Sequence, residues 1–406
     1  MIVFLLTGCA LPSLSGAGSS DSDADVQTLT SLAMGTTLTA TFYTDASISS
    51  TDDNTGEYTG EKVTSLLTDL ENDVLSWRVE TSEIGQINAE AAVSCVAGSG
   101  QYSESDAGSE SDTDSVYDSG SETDSDLAYD SGSETDSDST CDTYYETEPE
   151  VYEITLSDTL ASYLTEILDV SLNSGGALDP TVGLLSQLWD IGGSNPRIPS
   201  EDEIAAVLPF TGYERLSLSG NLLSVPAGMA LDLGAVGKGI GCDAVGELLE
   251  AEDTVTAAVV SIGGSILTWG TKPDGTDWSV AIRDPRDEDG YLGILKVTGT
   301  CYISTSGDYE KYFIEDGTRY CHILDPETGY PADSGLISVT VVCDSGLLSD
   351  ALSTACFVLG YEDSLSLLSL YGAEAIFVDE DKNVYVTDGL ADIFTLSADE
   401  YTLPES

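Results

Sequence analysis

Thr37, Thr39 and Thr41 alternate with Leu38, Ala40 and Phe42, and this period of two across residues 31–43 predicts a strand. The spacing then changes. Val63, Leu66, Leu67, Leu70 and Val74 recur at three and four residues, the apolar stripe of a helix over 61–75, and 76–88 reads as a loop with a short helix. Order resumes at Tyr152 after a long polar interval. Ser157 stands where a helix reaching about Val170 needs its cap, 175–181 form a turn, and helices follow over 182–189 and 201–208. Residues 216–225 read as a hairpin, and 230–249 as a strand passing through a glycine-rich turn into a helix. Further strands are expected over 255–269, 278–283, 292–303, 337–343, 375–378 and 383–386, with helices over 349–359 and 362–370. This irregular order fits an α+β fold of mixed sheets with packed helices rather than a βαβ repeat.

The polar interval differs in kind from the rest. Residues 98–150 hold 17 acidic residues and no lysine or arginine, and the string YDSGSETDSD occurs at 117–126 and again at 129–138. Such a segment has too little apolar surface to offset the ordering of its backbone, so it reads as a disordered acidic insertion. Acidity extends beyond it: the remainder carries 56 acidic residues against 12 basic ones, and the formal charge of the whole is −61. Nucleic acid is therefore excluded as a partner, because nothing here could neutralise phosphates along a duplex.

The opening residues, MIVFLLTGCALPSLSG, place Leu6-Thr7-Gly8 before Cys9 and resemble the lipobox of a bacterial lipoprotein, without the positive residues that usually open a leader. The expected organisation is a leader and tether over 1–27, one folded domain over 28–397 carrying the insertion, and a C-terminal tail over 398–406. Lipid on Cys9 would hold the protein at the extracytoplasmic face of a bacterial cell membrane, since no later stretch is long and apolar enough to span a bilayer. The other cysteines show no CxxC and no zinc-like spacing. Cys95 and Cys141 bracket the insertion and could close it with a disulfide, whereas Cys301, Cys343 and Cys356 read as buried thiols.

Four stretches could carry chemistry. His322 is the only histidine, beside the turn Asp325-Pro326-Glu327-Thr328-Gly329, and its imidazole is the one side chain with an unperturbed pKa near neutrality; it is a candidate base or a hydrogen-bonded structural residue. The glycine-rich turn at 234–241 can bring backbone N–H groups to a phosphate, with Lys238 to neutralise it, or can simply be a tight turn. Asp350 and Thr354 stand four apart, so a helix presents both oxygens on one face, as a hard cation such as Mg²⁺ requires; the same residues could instead serve the helix itself. Asp179, in the turn after Ala177 and Leu178, offers a further acceptor.

Taken in order, Met34-Gly-Thr-Thr, Ser82-Glu-Ile with Ile87-Asn88, the run SGGALDPTVG at 174–183, DLGAVGKG at 232–239, SIGG at 261–264, SGDY at 306–309, HILDPETGYP at 322–331 and DALST at 350–354 resemble the motifs of the ApbE family, the FAD:protein FMN transferases. The resemblance covers about 28–396, apart from the insertion. It implies a Mg²⁺-dependent enzyme that splits FAD, joins FMN through its phosphate to a Thr or Ser of an extracytoplasmic acceptor flavoprotein, such as a subunit of an Rnf- or Nqr-type complex, and releases AMP. By position it implies that Met34, Trp77, Ala177, Leu178, Asp179, Asp232, Lys238 and Ile323 line FAD, that Asp350, Thr354 and the carbonyl of Ala235 hold Mg²⁺, and that His322 is the base. Trp77 replaces a frequent tyrosine and Leu178 a frequent phenylalanine. A Mg²⁺-dependent FAD pyrophosphatase giving FMN and AMP, or a non-catalytic flavin-binding lipoprotein, would retain the same motifs.

Overall fold

A computed structural model describes residues 24–45, 59–92 and 150–404. Cys9, nearly all of the acidic insertion, and the pair Cys95 and Cys141 lie outside the described residues. The strand expected over 31–43 is a hairpin, β1 (Ala24–Ala33) and β2 (Thr36–Asp45). Its two-residue turn places Met34 at φ 52° and Gly35 at φ 67°, the paired positive values of a tight hairpin turn. Methionine seldom adopts that region, which is why the alternation conceals the turn. α1 (Thr59–Leu70) buries Val63, Leu67 and Leu70 as its stripe requires, then widens into a π-helical turn over Glu71–Leu75 that leads to α2 (Glu83–Ala92).

After β3 (Val151–Thr155), the Ser157 hydroxyl accepts from the Leu160 amide at 3.1 Å and opens α3 (Asp158–Asn173). There follow α4 (Gly183–Trp189), α5 (Glu201–Val207), β4 (Ser217–Ser219), β5 (Leu222–Pro226) and α6 (Gly237–Glu250). The strand expected before α6 is a single bridge, Val182 to Ala230. The runs 255–269 and 292–303 each divide in two. β6 (Val255–Ile262) and β7 (Ser265–Gly270) turn at Gly263, φ 56°. β8 (Trp278–Arg283) precedes β9 (Tyr291–Val297) and β10 (Cys301–Gly307), which part at Gly299, φ 70°. The chain closes with β11 (Tyr312–Glu315), β12 (Thr318–Cys321), β13 (Leu336–Cys343), α7 (Gly346–Leu359), α8 (Tyr361–Tyr371), β14 (Glu374–Asp379), β15 (Val384–Val386) and β16 (Phe394–Leu396).

The framework is an eight-stranded antiparallel sheet in the order β1-β2-β6-β7-β10-β13-β14-β15. Its side chains sort by parity. Ala258, Val260 and Ile262 join the core under α1 and α6, while Ala257 and Val259 join the core under the small sheet β16-β9-β8. Strands buried on both faces read as unbroken apolar runs, which hides their turns. Residues 398–404 are not a separate tail: Tyr401 is buried, its hydroxyl donates to Asp284, and the Val384 amide donates to Thr402 O. Among the described residues no helix is long and apolar enough to cross a membrane, and Cys242, Cys301, Cys321, Cys343 and Cys356 are free thiols.

The turn after His322 is anchored from below. Asp325 Oδ1 accepts from the Glu327 amide at 2.9 Å and Oδ2 from the Thr328 hydroxyl at 2.9 Å, and buried Trp189 donates from Nε1 to Gly329 O at 2.8 Å. Gly329 has φ 75°, and a Cβ there would stand 2.8 Å from Ile204 Cγ2. Gly329→Ala is therefore expected to destabilise the protein by about 1–3 kcal/mol, from left-handed strain and overpacking together. Chemical denaturation would check it, and an unchanged midpoint would mean that the turn carries no such strain.

Candidate active site at the crossing of two helix ends

α6 and α7 begin side by side at one end of the large sheet. The first regular bond of α6 runs from the Ile240 amide to Val236 O, so the Gly239 amide is one of the donors that a helix start leaves unpaired. Asp350, on α7 and 1% exposed, supplies the acceptor: its Oδ2 takes the Gly239 amide at 2.9 Å. Lys238 Nζ lies 3.3 Å from Asp350 Oδ1, and the Ser265 hydroxyl donates to that oxygen at 3.3 Å. Alternation along β10 points Ser304 and Ser306 toward α7. Ser304 Oγ bonds Ser265 at 3.0 Å and Ser349 at 2.8 Å, and Ser306 Oγ bonds Ser353 at 2.8 Å and Thr354 Oγ1 at 3.2 Å.

This floor is made of hard oxygens. It holds one buried carboxylate and the Thr354 hydroxyl, with Ala235 in the turn just before α6 placing its carbonyl ahead of the helical ladder. No group of three His, Cys, Asp or Glu side chains that could hold a metal occurs among the described residues. The donor chemistry nevertheless fits Mg²⁺, which commonly takes one or two carboxylates and completes its shell with water and substrate phosphate oxygens.

The hairpin of β11 and β12 brings its two ends to the same place. The His322 amide donates to Lys311 O at 3.0 Å, and His322 Nδ1 is buried without a hydrogen-bond partner among the described residues. Burial, and then the positive charges of Lys311 and Lys238, lower the imidazole pKa to about 3. The Lys311 stem packs over Gly192, and its ammonium is lowered by loss of hydration and then by repulsion from Lys238 and Arg78. Arg78 lies 4.1 Å over the Trp77 ring, whose Nε1 is also buried without a partner. Lys238 and Lys311 thus act on one imidazole and Arg78 acts on Lys311, three of only 12 basic residues in a chain of charge −61. Convergent cations and orphaned polar atoms are the marks of a site for an anionic ligand.

The other residues singled out in the sequence lie around this place as follows. Met34, at the hairpin tip, reaches the glycine face of α6, where a Cβ on Gly241 would stand 2.7 Å from its sulfur. The Asp232 amide donates to Pro180 O at 2.8 Å, joining the 177–183 loop to the start of α6. Ala177, Leu178 and Ile323 are buried, so what they can offer a ligand is backbone. Asp179 turns inward: Oδ1 accepts from the Thr181 amide at 2.8 Å and hydroxyl at 2.6 Å, and Oδ2 from the Tyr213 amide at 2.8 Å. Burial raises its pKa, partly offset by these bonds. It holds the loop that a ligand would rest on.

This constellation has relatives. Residues 123–377 match the profile of the ApbE family. The chain belongs to the ApbE family. The FAD:protein FMN transferase of Treponema pallidum is 35% identical over 256 residues, which are 59% of this chain and 70% of that protein. The Escherichia coli K12 enzyme of the same name is 32% identical over 240 residues, 57% of this chain and 68% of that one. The apo form of the flavinyl transferase ApbE of Pseudomonas stutzeri superposes with a TM-score of 0.67 at 27% identity, covering 92% of this chain and 98% of that one.

Within this ApbE chain, single motifs pointed to Lys238, His322, Asp350 and Thr354. They did not point to Lys311 and Arg78, whose part is visible only once distant segments meet. Ser306 stood in the SGDY motif at 306–309, and Ser304 carried no signal of its own.

Proposed function

We propose that the chain is a Mg²⁺-dependent FAD:protein FMN transferase. Its substrates are FAD and a Thr or Ser hydroxyl of an acceptor flavoprotein; its products are the FMN phosphoester of that protein and AMP. The observation that carries this reading is the convergence of Lys238 and Lys311 on buried His322, with Arg78 acting on Lys311, in so acidic a chain. A flavin dinucleotide presents a pyrophosphate to such cations and an aromatic ring system to Trp77 and Met34.

The acceptor oxygen attacks the phosphorus of the FMN moiety, the bond from that phosphorus to the bridging oxygen breaks, and AMP departs with that oxygen. The hydroxyl proton passes to His322. Its neutral imidazole is ready to accept, and the phosphate charge of a bound dinucleotide opposes the cations that lower its pKa. Asp350, Thr354 and the Ala235 carbonyl would hold Mg²⁺, which would supply Lewis-acid stabilisation of charge on the phosphoryl oxygens. Lys238 fixes the carboxylate and neutralises the other side of the phosphate. Lys311→Met is expected to raise the KM for FAD about tenfold, the worth of one charge-assisted contact, with little change in kcat; an unchanged KM would take Lys311 out of phosphate binding.

The reading extends to location and partner. A lipid on Cys9 would tether the enzyme to the extracytoplasmic face of a bacterial cell membrane, where an acceptor such as an Rnf- or Nqr-type subunit would present its Thr or Ser hydroxyl. The test is to incubate the purified chain with FAD, Mg²⁺ and a candidate acceptor domain, then record the acceptor's intact mass and the AMP formed. A gain of one esterified FMN with matching AMP is expected. AMP with free FMN and an unchanged acceptor would instead favour a pyrophosphatase, and neither product a flavin-binding protein.

A further inference from the structure

α6 and α7 touch through two glycines. A Cβ built on Gly239 would stand 2.1 Å from Gly346 O, and one on Gly346 would stand 2.2 Å from Gly239 O. With backbones this close, each helix lays its side against the first turn of the other, and each sends a carboxylate across. Asp350, four residues after Gly346, accepts the Gly239 amide at 2.9 Å. In the opposite direction Asp243, four residues after Gly239, accepts the amides of Gly346 and Leu347 at 2.7 Å each, with the Ser345 hydroxyl at 3.4 Å. One device is used twice. Asp350 belongs to the reactive floor; Asp243 stands behind it.

α7 does not need Asp243 to form. Its own N-cap, Ser345, already accepts the Leu348 amide at 3.2 Å, which satisfies the local requirement of a helix start. What Asp243 adds is a bidentate, charge-assisted tie between the first turn of α7 and the body of α6. A helix is stiff, so the tie at Gly346 and Leu347 sets where the next turn stands. That turn carries Asp350, and Thr354 lies one turn further. We propose that Asp243 is a positioning residue: it holds Asp350 and Thr354 in register with Lys238 and the Ala235 carbonyl, and so fixes the geometry in which Mg²⁺ is bound. The inference rests on the proposed function.

The test compares the full-length protein with Asp243→Asn, which retains one acceptor atom and loses the charged pair of bonds. Two quantities are read: the Mg²⁺ concentration that half-saturates transfer, and the rise in melting temperature that Mg²⁺ produces in the presence of FAD. Supporting residues of this kind typically change metal affinity by about 10–100-fold. The half-saturating Mg²⁺ is expected to rise by that order, the Mg²⁺-induced rise in melting temperature to shrink, and the KM for FAD to change less than about threefold, because the cations that meet the pyrophosphate are untouched. Asn383→Ala, which loses a side-chain bond to Asp379 between β14 and β15 at the far edge of the large sheet, serves as the control: it lowers the melting temperature and leaves both Mg²⁺ readouts unchanged. If Asp243→Asn does not fold, Asp243→Glu keeps the charge but displaces it by a methylene, and the same rise is expected. A folded Asp243 variant with wild-type half-saturation and a wild-type Mg²⁺ shift would overturn the positioning role while leaving the transferase reading intact. A wild-type chain with neither Mg²⁺-dependent transfer nor a Mg²⁺ shift would overturn both.

Discussion

Asp350→Ala is expected to lose Mg²⁺-dependent transfer at least about a hundredfold, since even residues supporting a metal ligand cost up to that factor. Among the described residues the carboxylate is the one acidic side chain bonded to the hydroxyls of the floor. The same substitution also strips the Gly239 amide of its acceptor, and a buried donor left unpaired costs about 1–3 kcal/mol. Two effects are thus mixed in one variant. Asp350→Asn separates them, because an amide oxygen can still accept from Gly239 but brings no charge to a cation. The alanine variant should lose both stability and turnover, and the asparagine variant mainly turnover. AMP release across a Mg²⁺ titration, beside thermal melts, reads the two apart. Full transfer by Asp350→Ala at ordinary Mg²⁺ would remove the metal assignment.

The contrast between Asp350 and Asp179 marks what the sequence could convey. Both are acidic residues in motifs, Asp350 placed at the site by its spacing from Thr354 and Asp179 by the family resemblance. A helical interval of four puts Asp350 and Thr354 on one face whatever surrounds them, so that pair was legible. The role of Asp179 depends on Tyr213, 34 residues away, whose amide donates to its second oxygen. Pairings at such range leave no periodic trace. The same holds for Gly239 and Asp350, 111 residues apart, and for the gathering of Arg78, Lys238 and Lys311.

At the level of the fold, amphipathic helices declared themselves, because their stripes at 63, 67 and 70 are the buried positions. Strand limits did not. β6 and β7 are apolar on both faces, and a hairpin turn made by Gly263 and Gly264 inside that run looks like a glycine within one long strand. Met34 and Gly35 hid another, since the threonine alternation continues through them. The count of strands was therefore too low, while the class, α+β, followed from the mixture of periods.

His322→Ala is expected to bind FAD as before and to transfer FMN about 10²–10⁴ times more slowly, the usual contribution of a positioned base. The pH profile gives the sharper test. An ordinary histidine would lose half its basic form at about 6.5, but burial and the charges of Lys311 and Lys238 lower this one to about 3. The kcat/KM of the free enzyme for FAD should thus show no step near 6.5 that His322→Ala abolishes. Stability follows with a defined sign. The folded pKa lies below the unfolded one, so between about 3 and 6.5 the unfolded chain binds the extra proton, and the stability present above 6.5 is lost as the pH falls through that window. His322→Ala has no such proton to bind. Relative to the wild type its melting temperature should therefore improve on acidification, a difference in which the titration of the many carboxylates cancels. Retained transfer in this variant would exclude the base role. Loss of transfer together with FAD binding would assign the imidazole to holding the dinucleotide instead, because a base that acts only on the acceptor hydroxyl has no part in the affinity for FAD.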